Sequence, residues 1–164
     1  MAFSGFISED EEVEKTKIET LDDFRRLEGS QLFISEPVSI TQQRIQDFCR
    51  GTLNEEWIHW DSERARKSYL GDIIAPGLFL PALFPGMFWQ HMAVELPRFI
   101  VKGIEGIRVF RPVLVNAQVF SSVTLASVLE RREGVEVHYQ IEFFEVGINE
   151  KIAQVTFINR YWDT

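Results

Sequence analysis

Apolar and polar residues alternate along the second half of the chain, from Gly103 onward, with the period of two that a β-strand has. Turn residues interrupt the alternation around Asn116, at Glu133-Gly134 and at Gly147-Ile148-Asn149. The pattern predicts four strands, over 104–112, 117–131, 135–146 and 151–162. Since apolar and polar side chains alternate in the third of them, we expect an antiparallel sheet with one packed face.

The beginning of the chain has a different spacing. Apolar residues recur at helical intervals from Thr20 to Leu27, and Thr20 is a residue that caps helix N-termini well. A short helix is therefore predicted there. The stretch that follows, QLFISEPVSI, predicts the first strand.

Two further short helices are predicted before the middle of the chain. The segment TQQRIQDFCR has Ser39 or Thr41 available as its cap, and Gly51 ends it. The segment SERARKSYL follows Asp61, which we expect to be its N-cap, and Gly71 ends it.

The most apolar stretch covers the 22 residues from Ile73 to Val94, none of which carries a formal charge. Its length suits a membrane span, but it contains three prolines and no cluster of Lys or Arg lies beside it. We therefore expect a long central helix, buried in the core, and no membrane partner. Pro76 suits the first helical position, whereas Pro81 and Pro85 are each expected to remove an internal hydrogen bond and to kink or restart the helix.

Length and charge narrow the class of protein. With 164 residues, of which 45% are hydrophobic, the chain suits one globular domain with a sizeable core. A formal net charge of −8 has the wrong sign for binding phosphate backbones, so no nucleic-acid partner is expected. Nine acids and four bases fall within the first 28 residues. We expect residues 1–17 to form a flexible acidic extension and 18–164 to form the domain.

The single cysteine, Cys49, excludes an internal disulfide and any metal site made of several cysteines. This usage is typical of a reducing compartment. Because Cys49 lies on the apolar face of a predicted helix, we interpret it as a core residue. No basic region followed by a long apolar run begins the chain, so no secretory signal is predicted and we expect a cytoplasmic protein.

The stretch between Phe48 and Phe79 contains the residues that could take part in a reaction. Asn54 is followed five positions later by His59 and then by Asp61, and Ile74-Ala75-Pro76-Gly77 opens the apolar segment. This order resembles the signature of the MaoC-like dehydratases, a family that includes the (R)-specific enoyl-CoA hydratases: Gly-Asp-x-Asn-Pro-Leu/Ile-His-x-Asp, followed by Ala-His-Gly.

Two further matches support the resemblance. Trp57-Ile58-His59-Trp60-Asp61 is nearly identical to the middle of the motif in the nodulation-protein-N-like branch, Gly-Asp-His-Gln-Trp-Ile-His-x-Asp. Ile107-Arg108-Val109-Phe110-Arg111-Pro112-Val113 resembles the family's strand Val-Arg-Phe-x-x-Pro-Val. The resemblance extends over about residues 18 to 162.

The resemblance implies an α+β hot-dog fold, in which an antiparallel sheet wraps around a long central helix. It also implies an enzyme of fatty acid metabolism that reversibly hydrates an enoyl thioester or dehydrates a 3-hydroxyacyl thioester. The acyl group would be carried on coenzyme A or phosphopantetheine, with no metal and no other cofactor. At least a homodimer is implied, with the substrate tunnel between two hot-dogs.

The resemblance assigns roles to three residues. His59 matches the catalytic histidine and would act as general acid or base. Gly77 matches the glycine whose N–H faces the thioester oxygen, where negative charge collects. Asn54 stands where the family has its catalytic aspartate, and an asparagine can hold a water molecule but cannot take its proton. Glu55 or Glu56 could substitute for that aspartate if the loop turns differently.

Pro76 is a second departure, because it stands where the family has a histidine. Together with Asn54 it favours an alternative function, a catalytically weakened hot-dog that binds an acyl thioester or serves as a partner subunit. A hot-dog thioesterase is a third interpretation, which the hydratase motif favours less. The basic residues that could contact phosphates of a carrier are Arg64, Arg66, Lys67, Arg108 and Arg111, and we interpret them as solvated.

Overall fold

The computed structural model describes residues 14–148 and 150–163. Its helices are α1 (Leu21–Leu27), α2 (Gln42–Gly51), α3 (Ser62–Arg66) and α4 (Phe79–His91), with a 3₁₀ turn at Trp57–His59. Its strands are β1 (Thr16–Ile18), β2 (Gln31–Ile34), β3 (Val38–Ser39), β4 (Met92–Val94), β5 (Arg98–Val109), β6 (Gln118–Glu130), β7 (Val135–Glu145) and β8 (Lys151–Trp162).

The predicted antiparallel sheet is confirmed. Five strands follow one another in the order β2-β6-β7-β8-β5, and β3 pairs with β6 beside β2. A separate pair, β1 with β4, is parallel and was not predicted, because strands of three residues are too short to show a period. The boundary predicted between residues 17 and 18 falls inside β1, and most of the predicted acidic extension lies outside the described residues.

Helix α4 packs against the middle of this sheet. The Phe84 ring lies 5.9 Å from Tyr139 on β7 and 4.6 Å from Phe157 on β8, measured between ring centroids. The hydroxyl of Ser121, on β6, donates to the Met87 sulfur at 3.3 Å. A central helix held against antiparallel strands in this way is the α+β hot-dog arrangement that the sequence predicts.

The start of the central helix differs from the prediction. Helix α4 begins at Phe79, so Pro76 precedes the helix and accepts the Phe79 N–H on its carbonyl at 2.9 Å. Pro81 is the third helical residue, where a backbone N–H has no partner within a helix. It therefore removes no hydrogen bond, and Pro85 is the one proline in the interior of α4.

The prediction that this helix is buried holds for one side only. Seven of its residues are buried, whereas Pro85, Gly86 and Trp89 are exposed. Within the described residues, no helix has the length and apolar character needed to cross a membrane.

The predicted helix caps are confirmed at three positions. Thr20 precedes α1, and the Asp23 carboxylate accepts its N–H at 2.8 Å, which lowers the pKa of Asp23. Thr41 caps α2 and Asp61 caps α3, through hydrogen bonds from backbone N–H groups at 3.2 and 2.9 Å. Helix α3 ends at Arg66, earlier than predicted. The Ser68 hydroxyl donates to the Ala65 carbonyl at 2.7 Å and so competes with the backbone hydrogen bonds that would continue the helix.

Two strand predictions need correction. The predicted first strand is divided into β2 and β3, because Pro37 between them has no N–H for the ladder. The strand predicted over 104–112 is β5, which begins at Arg98 and ends at Val109. Gly103 and Gly106 lie at register shifts inside β5, so they mark bulges and not a boundary. Asn149, in the last predicted turn, lies outside the described residues.

Candidate functional site

An open cleft of about 660 Å³ contains all three residues that the motif selects. Its walls are the loop after α2, the 3₁₀ turn, the loop that leads into α4, and the end of β5. Asn54, His59 and Gly77 line it together with the apolar side chains of Ile107 and Val109. The structure therefore places side chains from distant parts of the sequence around one space, and gives that space an apolar wall.

Backbone hydrogen bonds fix the loop that presents Asn54. Its N–H donates to the Cys49 carbonyl at 2.9 Å, and its carbonyl accepts the Trp60 indole N–H at 2.8 Å. Cys49 itself is fully buried, as predicted, and burial raises the pKa of its thiol. Leu53, directly before Asn54, has φ +55°, at the position where the family motif has glycine. The loop therefore includes a strained leucine next to a site residue.

The amide of Asn54 presents a donor to the cleft. Its Oδ1 already accepts the N–H of Glu56 at 3.1 Å, in the local turn that Asn side chains commonly form. Its Nδ2 has no protein acceptor within the described residues. Asn54 can therefore donate to the oxygen of a water or substrate, but cannot remove a proton.

His59 is 4% exposed, and one ring nitrogen is already used. Its Nδ1 lies 2.6 Å from the carbonyl oxygen of Ile74. Because a carbonyl oxygen accepts and never donates, Nδ1 carries the hydrogen, and in the neutral ring Nε2 keeps a lone pair. The Ile74 N–H in turn donates to the Ile58 carbonyl at 3.1 Å, which ties the turn to the loop. This arrangement makes Nε2 of His59 a proton acceptor.

Gly77 lies in the loop between Ile74 and the start of α4. The loop is anchored by the Ala75 N–H, which donates to the Val113 carbonyl at 2.8 Å. The N–H of Gly77 has no protein acceptor in the described part of the chain, and Gly77 is exposed. The positive end of the helix dipole of α4 is close by, which favours a negatively charged oxygen there.

Of the two neighbouring glutamates, the structure places one at the cleft. Glu56 lines it and Glu55 does not. This selection has no signal in the sequence, because it depends on the backbone turn that Asn54 makes. The carbonyl of Ile74 was missed for a similar reason, since any residue type could supply it.

The candidate phosphate-binding residues have protein partners for the most part. Arg66 pairs with Asp72 at 3.1 Å, Lys67 with Glu63 at 2.5 Å, and Arg111 with Glu145. The Arg64 guanidinium lies over the Trp57 ring, 4.1 Å from its centroid. Among the described residues, no three His, Cys, Asp or Glu side chains are grouped so that they could hold a metal ion.

Comparison with known proteins gives consistent results. The chain is 30% identical over 117 residues to 3-hydroxyacyl-thioester dehydratase Z of Mycobacterium tuberculosis (strain CDC 1551 / Oshkosh), which covers 71% of this chain and 78% of that protein. The solved structures that share the fold include the following two. The monoamine oxidase regulatory protein of Archaeoglobus fulgidus has a TM-score of 0.76 at 20% identity and covers 93% of this chain and 99% of its own. The unliganded (R)-hydratase of Pseudomonas aeruginosa has a TM-score of 0.70 at 17% identity and covers 86% of each chain.

A family model supplies the assignment. Residues 24–145, well over half of the chain, match the model described as the MaoC-like domain. The family that the motif indicates is thereby confirmed, whereas the nodulation-protein-N-like branch stays a prediction. With the hot-dog fold and the cleft in place, this chain belongs to the MaoC-like dehydratase family.

Proposed function

We propose that the protein is a hydro-lyase that adds water to a trans-2-enoyl thioester and, in reverse, dehydrates a 3-hydroxyacyl thioester. The acyl group is carried on coenzyme A or on the phosphopantetheine of a carrier protein. The observation that carries this proposal is the Nδ1 contact of His59 with the Ile74 carbonyl, since it leaves Nε2 as a proton acceptor in the same cleft as Asn54 and Gly77. Family membership and the name of the 30% identical relative support the same chemistry.

Each residue then has a defined step. Nε2 of His59 removes a proton from water while the water oxygen bonds to C3 of the substrate. The π electrons move to C2 and the thioester oxygen, and the N–H of Gly77 stabilises the negative charge there. The imidazolium of His59 returns its proton to C2, so that H and OH add to the same face. The Nδ2 of Asn54 donates to the water oxygen and holds it in place.

The reaction so written uses protein groups and water, and we propose that it needs no metal and no bound cofactor. The test is the loss of the conjugated enoyl-thioester absorbance across a series of short to medium trans-2-enoyl-CoA esters, with free thiol followed in parallel. Absorbance loss without thiol, unchanged after dialysis against EDTA and abolished in His59→Ala, is expected. Release of thiol would indicate a thioesterase instead.

A slow enzyme is expected, because Asn54 cannot act as a base. Losing such a group typically lowers a rate by about 10² to 10⁴. Asn54→Asp restores the family's carboxylate without a change of shape, so kcat should rise, and His59→Ala should remove that gain. An Asn54→Asp variant that still binds the acyl thioester but does not turn it over would support the second candidate function, a weakened thioester-binding protein or partner subunit. That candidate is favoured by the engagement of Asn54 Oδ1 with a backbone N–H.

We further propose a homodimer formed at strand β5. This strand is an edge of the main sheet, and its large apolar side chains Phe99, Ile100, Val101 and Ile104 are 41 to 51% exposed. An unpaired edge with exposed apolar residues is suited to pairing with a second copy. Ile107 and Val109 of β5 also line the cleft, so a second copy paired at this strand would lie next to the cleft.

Sedimentation velocity tests this assembly. The parent protein should sediment as a dimer, and Ile100→Asp should sediment as a monomer, because the new charge would be buried at the interface. Tyr69→Asp is the matched control, since Tyr69 is also a large, exposed side chain but lies outside β5 and lines a different cleft. A parent that is monomeric at high concentration would contradict the proposal.

A further inference from the structure

Glu56 is the carboxylate residue that lines the cleft, and it has no part in the reaction steps given above. We propose that Glu56 takes over part of the role of the aspartate that Asn54 replaces: it orients the attacking water by accepting one of its hydrogens, without acting as a base. This inference rests on the proposed hydration of an enoyl thioester. It assigns a third side chain to the same step.

The position of Glu56 is the first argument. Among the described residues that line the cleft, Glu56 and His59 are the two with a titratable side chain. Glu55, the adjacent residue, has the same chemistry but does not line the cleft. Glu56 and His59 therefore line the same cleft, whereas Glu55 does not.

The local backbone makes Glu56, His59 and Asn54 one unit. Glu56 is the N-cap of the 3₁₀ turn, and its carbonyl accepts the N–H of His59 at 3.1 Å. Glu56 and His59 are therefore joined through the backbone at the two ends of this turn. The Glu56 N–H is bound in turn by Oδ1 of Asn54 at 3.1 Å. The amide that replaces the aspartate thus positions the residue that substitutes for it.

The carboxylate of Glu56 is also free to bind a ligand. Other glutamates of the chain form ion pairs, for example Glu63 with Lys67 and Glu145 with Arg111. Glu56 has no ion pair and no side-chain hydrogen bond within the described residues. Its negative charge therefore has no paired cation among the described residues, and it lines the cleft in which the proposed reaction forms an imidazolium, a charge that a carboxylate stabilises.

With Glu56 included, each hydrogen and each lone pair of the attacking water has a partner. A water molecule has two hydrogens and two lone pairs. One hydrogen goes to Nε2 of His59 and is transferred, and the other is held by the Glu56 carboxylate and stays on the oxygen. One lone pair accepts from Nδ2 of Asn54, and the other bonds to C3. No proton is left over, because the one that His59 takes returns to C2.

Glu56→Gln and Glu55→Gln are a matched pair for the test, since both residues are exposed and adjacent. Measured on the best enoyl-CoA substrate of the parent, Glu56→Gln should lower kcat by about 100-fold while KM changes little, because the carboxylate acts on the water and not on the acyl chain. Glu55→Gln should leave kcat and KM within about twofold of the parent values, because Glu55 does not line the cleft.

Adding Asn54→Asp separates a role in the reaction from a role in the fold. In the Glu56→Gln background it should recover most of the lost kcat, because the carboxylate returns to its family position, and a merely structural defect would not recover. Equal kcat in Glu56→Gln and Glu55→Gln would overturn the role of Glu56 and leave the proposed function standing. A parent that hydrates no enoyl thioester would overturn the proposed function itself.

Discussion

The backbone of Leu53 is strained, and this strain lowers the stability of the loop. It has φ +55°, and its side chain is 88% exposed, so it gains little from packing in the described chain. A left-handed conformation costs an ordinary residue about 1 to 2 kcal/mol, and glycine adopts it freely. The strain is next to Asn54 and so lies at the site.

Leu53→Gly should therefore stabilise the protein, by about 0.5 to 1 kcal/mol once the extra entropy of glycine in the unfolded chain is subtracted. The measurement is the free energy of unfolding in urea. Leu78→Gly is the control, because Leu78 is also an exposed leucine beside the cleft but has φ −85°. It should destabilise, and a loss of stability in both variants would show that Leu53 is not strained.

Some site residues could be predicted from the residue type at their position, and others depend on the path of the backbone. His59, Asn54 and Gly77 follow from the order of residue types, because each role requires a particular side chain or, for Gly77, a recognisable motif. The Ile74 carbonyl and the choice of Glu56 over Glu55 do not follow from it. Both depend on the path of the backbone, which the identity of a residue does not determine.

At the scale of elements, glycine occurs in two different settings, inside a strand at a bulge and in a turn between strands. Gly103 lies within β5 at a bulge, where the sequence suggested a boundary. Gly134 lies in the turn between β6 and β7, where the sequence predicted it, with φ +76°. A strand can contain a bulge without losing its neighbours, so glycine by itself cannot separate a turn from a bulge. The first residues of α2 and α3 were easier to predict, since each follows a single capping residue, Thr41 and Asp61.

Gly134→Ala should destabilise the β6–β7 hairpin severely. A Cβ at Gly134 would lie 1.9 Å from the carbonyl oxygen of Tyr161, which is backbone on the neighbouring strand and cannot move aside easily. We expect a loss of more than about 3 kcal/mol, since backbone strain and a clash add.

The matched control for that change is Gly147→Ala. Gly147 has a similar φ of +83°, but a Cβ there meets nothing within 4 Å. Its loss should be confined to the strain of about 1 to 2 kcal/mol. Thermal unfolding followed by circular dichroism compares the two, and equal losses would mean that the close approach to Tyr161 does not matter.

At the scale of the whole molecule, the core contains a polar group of three residues. The hydroxyls of Tyr139 and Tyr161 lie 2.9 Å apart, and Nδ2 of Asn159 donates to the Tyr161 hydroxyl at 3.1 Å. Burial raises the pKa of both tyrosines, because a phenolate loses its hydration inside the core.

This burial predicts the alkaline limit of the fold. The unfolded tyrosines release protons near pH 10, before the folded ones do, so the stability is complete below about pH 10 and is lost as the pH rises beyond it. Tyr139→Phe removes the group whose pKa is raised most and should make the fall between about pH 10 and pH 12 less steep. Urea unfolding at a series of pH values measures both slopes, and equal slopes would contradict the prediction.

The exposed edge at β5 has a consequence for how the enzyme would respond to its own concentration. Ile107 and Val109 of this strand are part of the wall of the cleft, so a second chain paired at β5 would lie beside the cleft and complete it. Turnover per molecule would then fall on dilution, at the concentration where pairs of chains separate. The amount of protein in the cell, and not only the amount of substrate, would decide how well each active site works.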